Sequence, residues 1–264
     1  MTTTNSSTAM LEMHGNVALL TLNRPETLNA FNRTLVSDLH ARLREVFRSD
    51  GARALVLTGA GKGFCSGADL TSRATDINPK DPGEMMRELY TPAFALLREM
   101  KVPTIAAVNG ACAGAGVSLA LSCDFVLAAE SAFFLQAFVN IGLVPDMGSS
   151  WLLPHRIGDA RARALMMLGE RLPAAKAEEW GLIYKCLPAE QLLDEALRLA
   201  TKLAAGPTTT YGWIRDLGRL AWQNDLAAQI DAERHLQARA LQTEDHRNAV
   251  QSFKDKVPPH FSGK

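Results

Sequence analysis

The stretch that most constrains the fold runs from Val102 to Asp124. Its apolar, β-branched residues 104–108 predict a short buried strand that ends at the turn pair Asn109-Gly110. Three small residues, 114–116, and an apolar segment, 117–121, then predict a tight turn that leads into a buried helix. The unpaired N–H groups at such a helix start can hold an anion or a developing oxyanion. A packing turn that simply needs small residues is the alternative interpretation.

Further apolar runs predict strands at residues 17–22, 54–58, 125–129 and 133–135. Between the first two, Asn32 can cap a helix whose apolar residues recur at helical spacing from Leu35 to Phe47. This alternation predicts an α/β fold with packed layers. We expect residues 1 to about 10 to be disordered, and residues 71–83 to form a mobile surface loop near the site.

The charge and cysteine content of the 264-residue chain excludes several classes of partner. The 28 basic residues balance the 28 acidic ones and form no basic tract, which argues against nucleic acid and anionic membranes as partners. The four cysteines form no CxxC pair, so we expect reduced thiols and no metal site. The polar N-terminus and the lack of a long apolar run predict a cytoplasmic protein.

A glycine-rich loop at residues 59–63 lacks the spacing of both common phosphate-binding motifs, which disfavours a nucleotide site. The residues that follow it are more informative. If Asp69 caps the next turn, the backbone N–H of Ala68 is left available as a donor. It would be a second donor beside the N–H groups of the helix start at residues 114–116.

Asp146 is the strongest candidate for a catalytic carboxylate. It lies among apolar residues of the segment 140–151, and burial there would suit it to proton transfer near neutral pH. Alternatively, it is an ordinary turn residue that bonds its own backbone. A Ser-His-Asp triad is disfavoured, because Ser149 and Ser150 lack the GxSxG elbow and His155 has no partner pattern.

From Asp159 onward the pattern is mainly helical: Asp159 can cap one helix, and Pro173 opens the next. Pro207 predicts a boundary between a core of residues 1–206 and a helical region of residues 207–264. The apolar stripe of that region is thin, which favours packing on a partner subunit or on the chain's own core.

Four ordered segments, 23–31, 59–70, 103–124 and 142–153, resemble the signature segments of the enoyl-CoA hydratase/isomerase family, the crotonase superfamily. The resemblance extends over residues 17–256. It implies an α/β fold, a crotonase-like spiral of ββα turns with a C-terminal helical trimerisation region. It also implies homotrimers or dimers of trimers and an acyl-CoA thioester as substrate. Because coenzyme A is part of that substrate, no separate cofactor is implied.

The resemblance assigns roles to particular residues. The backbone N–H groups of Ala68 and Ala115 fall on the family's oxyanion-hole positions. Phe138, Met147 and Trp151 would form an apolar wall for the acyl group. The positions that resemble coenzyme A contacts are Arg24, Ala30, Ser66, Ala68, Phe253 and Lys256.

The chain departs from the hydratases of this family at two positions. Ser118 and Phe138 stand where those hydratases place glutamates, and addition of water needs both a base and an acid. Asp146 instead matches the acidic residue of the dienoyl-CoA isomerases. It also matches that of the ring-1,2-epoxyphenylacetyl-CoA isomerases of phenylacetate degradation, which the local sequence resembles most. The resemblance implies that Asp146 moves a proton between two carbons of an acyl-CoA, such as a 3-enoyl-CoA, while both amides hold the enolate.

Three alternatives remain open. The chain could retain enoyl-CoA hydratase activity, or act as an aryl-CoA dehalogenase in which Asp146 is the nucleophile. It could also be a non-catalytic subunit that binds acyl-CoA.

Overall fold

The computed structural model describes residues 7–72 and 78–264, and their strands form two sheets. The large sheet has the order β1-β2-β3-β5-β7-β10, and the small sheet has the order β4-β6-β8-β9. Pairing is parallel except between β1 and β2 and between β8 and β9. In chain order the strands are β1 (Ala9–His14), β2 (Val17–Leu22), β3 (Ala54–Gly59), β4 (Gly63–Cys65), β5 (Thr104–Val108), β6 (Ala111–Ala113), β7 (Phe125–Ala129), β8 (Phe133–Leu135), β9 (Arg171–Pro173) and β10 (Lys185–Leu187).

Helices follow or flank these strands. They are α1 (Arg33–Arg48), α2 (Thr91–Arg98), α3 (Ala115–Leu121), α4 (Ser149–Ile157), α5 (Asp159–Leu168), α6 (Ala174–Glu179), α7 (Leu192–Ala204), α8 (Thr208–Leu220), α9 (Leu226–Ala240) and α10 (Glu244–Asp255). A π-helical turn, Met86–Tyr90, precedes α2, and a 3-10 turn, Ala137–Ile141, follows β8. Asn32 caps α1 as predicted, because its side chain accepts a hydrogen bond from the amide of Leu35.

The chain coils as a spiral in which successive strands join different sheets. β3, β5 and β7 lie in the large sheet, whereas β4, β6 and β8, which follow them in the chain, lie in the small sheet. A helix comes after each pair: α2 after β4, α3 after β6 and α4 after β8. The predicted α/β fold is therefore confirmed as a spiral of ββα turns. The spiral stacks the connection after β4 beside the connection after β6.

The core lies around the central strands of the large sheet. The side chains of β3 and β5 are all buried, as expected of parallel strands covered on both faces. Helix α7 packs across both strands and buries a stripe that includes Ala196 and Ala200. All four cysteines are free thiols, and burial raises the pKa of Cys65 and of Cys123 to about 12. Both of these thiols are therefore protonated near neutral pH.

The structure corrects several local expectations. Ala9 and Met10 belong to β1, which pairs with β2, so the predicted disorder through about residue 10 is wrong there. The short strands β9 and β10 lie in the part predicted as mainly helical. Gly158, and not Asp159, is the N-cap of α5. The predicted surface loop, 71–83, includes residues 73–77, which lie outside the described residues.

The C-terminal helices are tied to the spiral by two arginines. The guanidinium of Arg53 donates to the carbonyl oxygens of Gly206 and Phe261 and to the hydroxyl of Thr208. Arg215 of α8 donates to the carboxylate of Asp124. None of the helices in the described ranges combines the length and the apolar character that crossing a lipid bilayer requires. The boundary at Pro207 stays a prediction.

Candidate active site

The two predicted oxyanion donors lie on adjacent connections of the spiral. Ala68 follows β4, and Ala115 is the first residue of α3. Gly67 has a φ of +94°, and a β-carbon there would lie 2.9 Å from the carbonyl oxygen of Ala113 and 3.5 Å from Cα of Gly114. The backbones before the two donors are therefore in contact, and only glycine fits at residue 67.

Both donor amides are available for a ligand. Phe31 forms a bridge beside Ala68: its amide donates to the carbonyl of Gly67, and its carbonyl accepts from the amide of Asp69. Ala68 itself donates no backbone hydrogen bond within the described ranges. The amide of Ala115 lies in the first turn of α3, where intrahelical acceptors are lacking. The positive end of the helix dipole adds to its attraction for negative charge.

Asp69 caps the turn after Ala68, as predicted. Its Oδ1 accepts from the amide of Thr71 at 3.0 Å and from the Thr71 hydroxyl at 2.6 Å. Its Oδ2 accepts from Nη2 of Arg24 at 3.0 Å. The hydrogen bonds from Thr71 and then from Arg24 hold the pKa of Asp69 below its usual range. Asp69 is therefore an ionised anchor for the Ala68 segment near neutral pH.

Three of the predicted coenzyme A positions form one patch around Ala68. Arg24 donates through Nη1 to the carbonyl of Ala30 at 2.6 Å, so it spans Ala30 and Asp69. Ser66 donates its hydroxyl to the carbonyl of Thr27 at 3.0 Å. The guanidinium of Arg24 and the hydroxyl of Ser66 thus have protein partners and hold together the segments on either side of Ala68. Sequence reasoning had no signal for this bracing, because the Arg24–Asp69 pair is 45 residues apart.

The other two predicted coenzyme A positions lie at the end of α10. Phe253 is 84% exposed, and Lys256 adopts a left-handed conformation with φ of +56° at the C-terminus of the helix. Within the described part of this single chain, no hydrogen bond or ring contact joins either residue to the oxyanion turns.

Asp146 lies in a tight turn that leads into α4. Its carbonyl oxygen accepts from the amide of Ser149 at 3.1 Å and from the Ser149 hydroxyl at 3.0 Å, as expected of a turn. The residue is half-buried, and its Oδ1 is shielded from solvent. Met147 has a φ of +51°, a left-handed conformation that costs energy in a residue with a β-carbon. The surrounding contacts must therefore hold this turn in place.

Ser118 connects this turn to the oxyanion helix. Its hydroxyl donates to the carbonyl oxygen of Asp146 at 3.0 Å, and the residue is fully buried. Ser118 lies one helical turn beyond Ala115, about 5 Å along the axis. The structure therefore brings the Asp146 turn against the helix that begins at Ala115. The sequence had identified Ser118 only as a missing acid.

The residues predicted to form an apolar wall lie on the 3-10 turn after β8 and around the start of α4. Phe138 is buried, and its Cζ lies 3.6 Å from the place a β-carbon on Gly114 would take. Met147 and Trp151 are half-buried against the core. Trp151 lies within 4.4 Å of Trp222, measured between ring centroids, and the guanidinium of Arg98 lies 5.0 Å above its ring.

Arg98 was not anticipated from the sequence. Its Nη1 lies 3.9 Å from the place a β-carbon on Gly148 would take, so a cation lies close to the Asp146 turn. Burial lowers the pKa of this guanidinium from its ordinary value, but an arginine stays charged at neutral pH. The sequence gives no local signal for the contact between Arg98 and Trp151, because the two residues are 53 positions apart.

Comparison with known proteins agrees with this architecture. The family model described as enoyl-CoA hydratase/isomerase matches residues 12–264. A 1,2-epoxyphenylacetyl-CoA isomerase from Escherichia coli strain K12 is 45% identical over 250 residues, which are 94% of this chain and 95% of that protein. A Rhodobacter capsulatus protein named "Probable enoyl-CoA hydratase" is 40% identical over 259 residues, 97% of this chain and 98% of that protein.

Solved structures agree as well. The crystal structure of an enoyl-CoA hydratase from Bacillus anthracis superimposes with a TM-score of 0.92 at 29% identity, covering 97% of this chain and 100% of that chain. The family match extends over nearly the whole chain and includes the turns that carry Ala68, Ala115 and Asp146. On the matched sequence and the shared fold, this chain belongs to the enoyl-CoA hydratase/isomerase family.

Proposed function

We propose that this enzyme is an acyl-CoA isomerase that moves a proton through Asp146 while the amides of Ala68 and Ala115 hold a thioester enolate. The observation that carries the proposal is the hydrogen bond from Ser118 to the carbonyl of Asp146. It supports a site with one carboxylate beside the oxyanion helix, where a hydratase would need two. The buried Phe138 at the second hydratase position supports the same conclusion.

The reaction would proceed in two steps. The Asp146 carboxylate takes a proton from a carbon conjugated to the thioester, and the C–H electron pair moves into the carbonyl to form an enolate. The two amides donate hydrogen bonds to the enolate oxygen, and loss of one such donor typically costs about 3 kcal/mol of transition-state stabilisation. Asp146 then returns the proton to another carbon. No atom is gained or lost, so one acid is sufficient.

The substrate class we propose is an acyl-CoA whose acyl group is unsaturated or aromatic. Phe138, Met147 and Trp151 support it, because they would offer apolar surface to such a group, with flat rings at Phe138 and Trp151. Two candidates are a 3-enoyl-CoA, converted to the 2-enoyl isomer, and ring-1,2-epoxyphenylacetyl-CoA, opened to the oxepin. The named activity of the Escherichia coli relative supports the second. We propose that Arg24, Ala30, Ser66, Phe253 and Lys256 line the path of coenzyme A.

We also propose that the enzyme is cytoplasmic and assembles as a homotrimer or a dimer of trimers through α8 to α10. These helices support assembly because several of their large apolar side chains are exposed in the single chain. The exposed residues include Ile214, Leu226, Ile230, Val250 and Phe253.

The test is to incubate the wild-type protein and Asp146→Asn with a 3-enoyl-CoA and a 2-enoyl-CoA in deuterated water. Wild-type protein should move the double bond and incorporate deuterium, and Asp146→Asn should lose at least about 10²-fold in rate. Asp159→Asn is the matched control, because that carboxylate is exposed and pairs with Arg163 on α5. The ring-epoxide substrate is then assayed with the same three proteins.

Three results would contradict the proposal. Hydroxyacyl-CoA as the main product would show a hydratase. Bond migration that is unchanged in Asp146→Asn would place the chemistry on another residue. A covalent adduct trapped on Asp146 would favour nucleophilic catalysis.

A further inference from the structure

Ser118 of α3 uses its hydroxyl differently from Ser122, the C-cap residue of the same helix. Ser122, just after α3, donates to the carbonyl of Ser118 at 2.8 Å, a local bond four residues back. Ser118 instead donates across 28 residues, to the carbonyl of Asp146 in another turn of the spiral. The buried hydroxyl of Ser118 therefore joins α3 to the Asp146 turn, and it does not bond within its own helix.

The Asp146 carbonyl is held from two directions. Ser149 binds it from within the turn, through both its amide and its hydroxyl. That pair fixes the conformation of the turn but not its distance from α3. Ser118 supplies the hydrogen bond that reaches the carbonyl from the oxyanion helix itself.

The Ser118 side chain points toward the end of α3 that carries Ala115. A Cα–Cβ bond on an α-helix tilts toward the N-terminus of the helix, so Ser118 points back toward the turn that carries the Ala115 amide. The carbonyl of Asp146 is therefore located relative to the same helix end that would hold the thioester oxygen. A shift of about 1 Å between reacting groups can cost about 10²-fold in rate.

We propose that Ser118 is a positioning residue that sets the Asp146 carboxylate at its working distance from the Ala68 and Ala115 amides. This inference rests on the proposed isomerase function, because it assigns Asp146 the proton transfer. The Ser118 hydroxyl acts through Asp146 and does not contact the acyl group. The left-handed Met147 next to Asp146 makes the turn dependent on such a fixed point.

The test compares kcat and KM for double-bond migration in Ser118→Ala, Ser118→Cys and Ser122→Ala. Ser118→Ala should lower kcat about 10- to 100-fold and leave KM within about twofold, because substrate binding does not use the hydroxyl. Ser118→Cys keeps the shape with a weaker donor and should fall between wild type and Ser118→Ala. Ser122→Ala removes a buried hydroxyl of the same segment and should keep kcat within about twofold.

A double-mutant cycle distinguishes failure of this inference from failure of the proposed function. Once Asp146→Asn has removed the proton carrier, adding Ser118→Ala should cause no further loss of rate. If Asp146→Asn is fully active, the proposed function itself is wrong. If Asp146→Asn is inactive but Ser118→Ala matches Ser122→Ala, the function stands and the positioning role is wrong.

A purely structural role would give a different pattern. It would lower the temperature of unfolding and raise KM in Ser118→Ala and Ser118→Cys alike, with no graded fall in kcat. That pattern would overturn the inference, and Ser118→Cys allows the test even if Ser118→Ala folds poorly.

Discussion

Side chains around Ala68 hold its backbone segment in place through hydrogen bonds. Arg24 and Asp69 are each visible in the sequence, one before a proline turn and one as a cap candidate. Their pairing at 3.0 Å depends on the spiral, because 45 residues lie between them. Similarly, the sequence shows that Ser118 is not an acid, but it does not show which carbonyl the hydroxyl binds. Residue types were thus predictable at this site, whereas partners over long separations were not.

The Asp69→Asn variant should reveal a pH-dependent contribution to stability. The hydrogen bonds from Thr71 and Arg24 hold the pKa of Asp69 below its usual range. The ionised carboxylate therefore stabilises the folded state above an unfolded pKa of about 3.9, and this contribution is lost as the pH falls through the folded pKa. Near pH 6 the free energy of unfolding of the variant should be about 1–3 kcal/mol below that of wild type. Below pH 4 this difference in unfolding free energy should become smaller.

Urea unfolding at a series of pH values measures this difference. Asp81→Asn serves as the control, because Asp81 also pairs with an arginine but is exposed to solvent. That variant should scarcely change stability at any pH. If the difference in unfolding free energy between Asp69→Asn and wild type stays constant from pH 6 to pH 3, the charge of the carboxylate does not cause it.

At the level of elements, the close packing of α3 on β4 fixes the position of Ala115 relative to the turn that carries Ala68. A β-carbon on Gly116 would overlap the carbonyl oxygen of Cys65, so the helix lies directly on the strand. The small residues 114–116 therefore serve close packing, which was the alternative interpretation, and the donor site there stays a prediction. Strands such as β3 were predictable from long apolar runs, but β9 and β10 have three residues each, too few to show a period.

Gly116→Ala should force α3 away from β4. We expect a loss of about 1–3 kcal/mol in unfolding free energy, as for other overpacked cores, and at least a 10-fold fall in kcat because the two amides separate. Gly218→Ala is the matched control, since Gly218 is also helical but has open space around its β-position. Alanine there should stabilise α8 by up to about 1 kcal/mol. Equal effects of the two substitutions on urea unfolding would refute the packing argument.

At the scale of the whole molecule, the long-range ion pair between Arg215 and Asp124 joins the C-terminal helices to the spiral. The side chain of Arg215 is 10% exposed and that of Asp124 is 22% exposed. Asp124 also accepts from the amide and hydroxyl of Thr104, at the start of β5. One carboxylate thus joins the central sheet to α8. The sequence predicted the C-terminal helices, but not this ion pair.

Arg215→Met should loosen the C-terminal region as a unit. Removing one partner leaves the mostly buried charge of Asp124 without its cation, which should cost about 3–5 kcal/mol. Hydrogen exchange should show faster exchange across α8 than in wild type. Arg234→Met is the control, because Arg234 pairs with Asp231 on the surface of α9. Unchanged exchange in α8 of Arg215→Met would mean that apolar packing alone holds the region.

The contact between Gly67 and Gly114 has a consequence for how such enzymes diversify. The two amides come from neighbouring turns of the coil, whereas Asp146 arrives on a third. Recombination or loop exchange after β8 can therefore replace the acid and leave the pair of donors untouched. If the two amides hold an enolate, as proposed above, the groups that stabilise it and the group that decides its product lie on separate connections of the spiral. Substitutions in the connection after β8 could then change the reaction while the two amides stay in place.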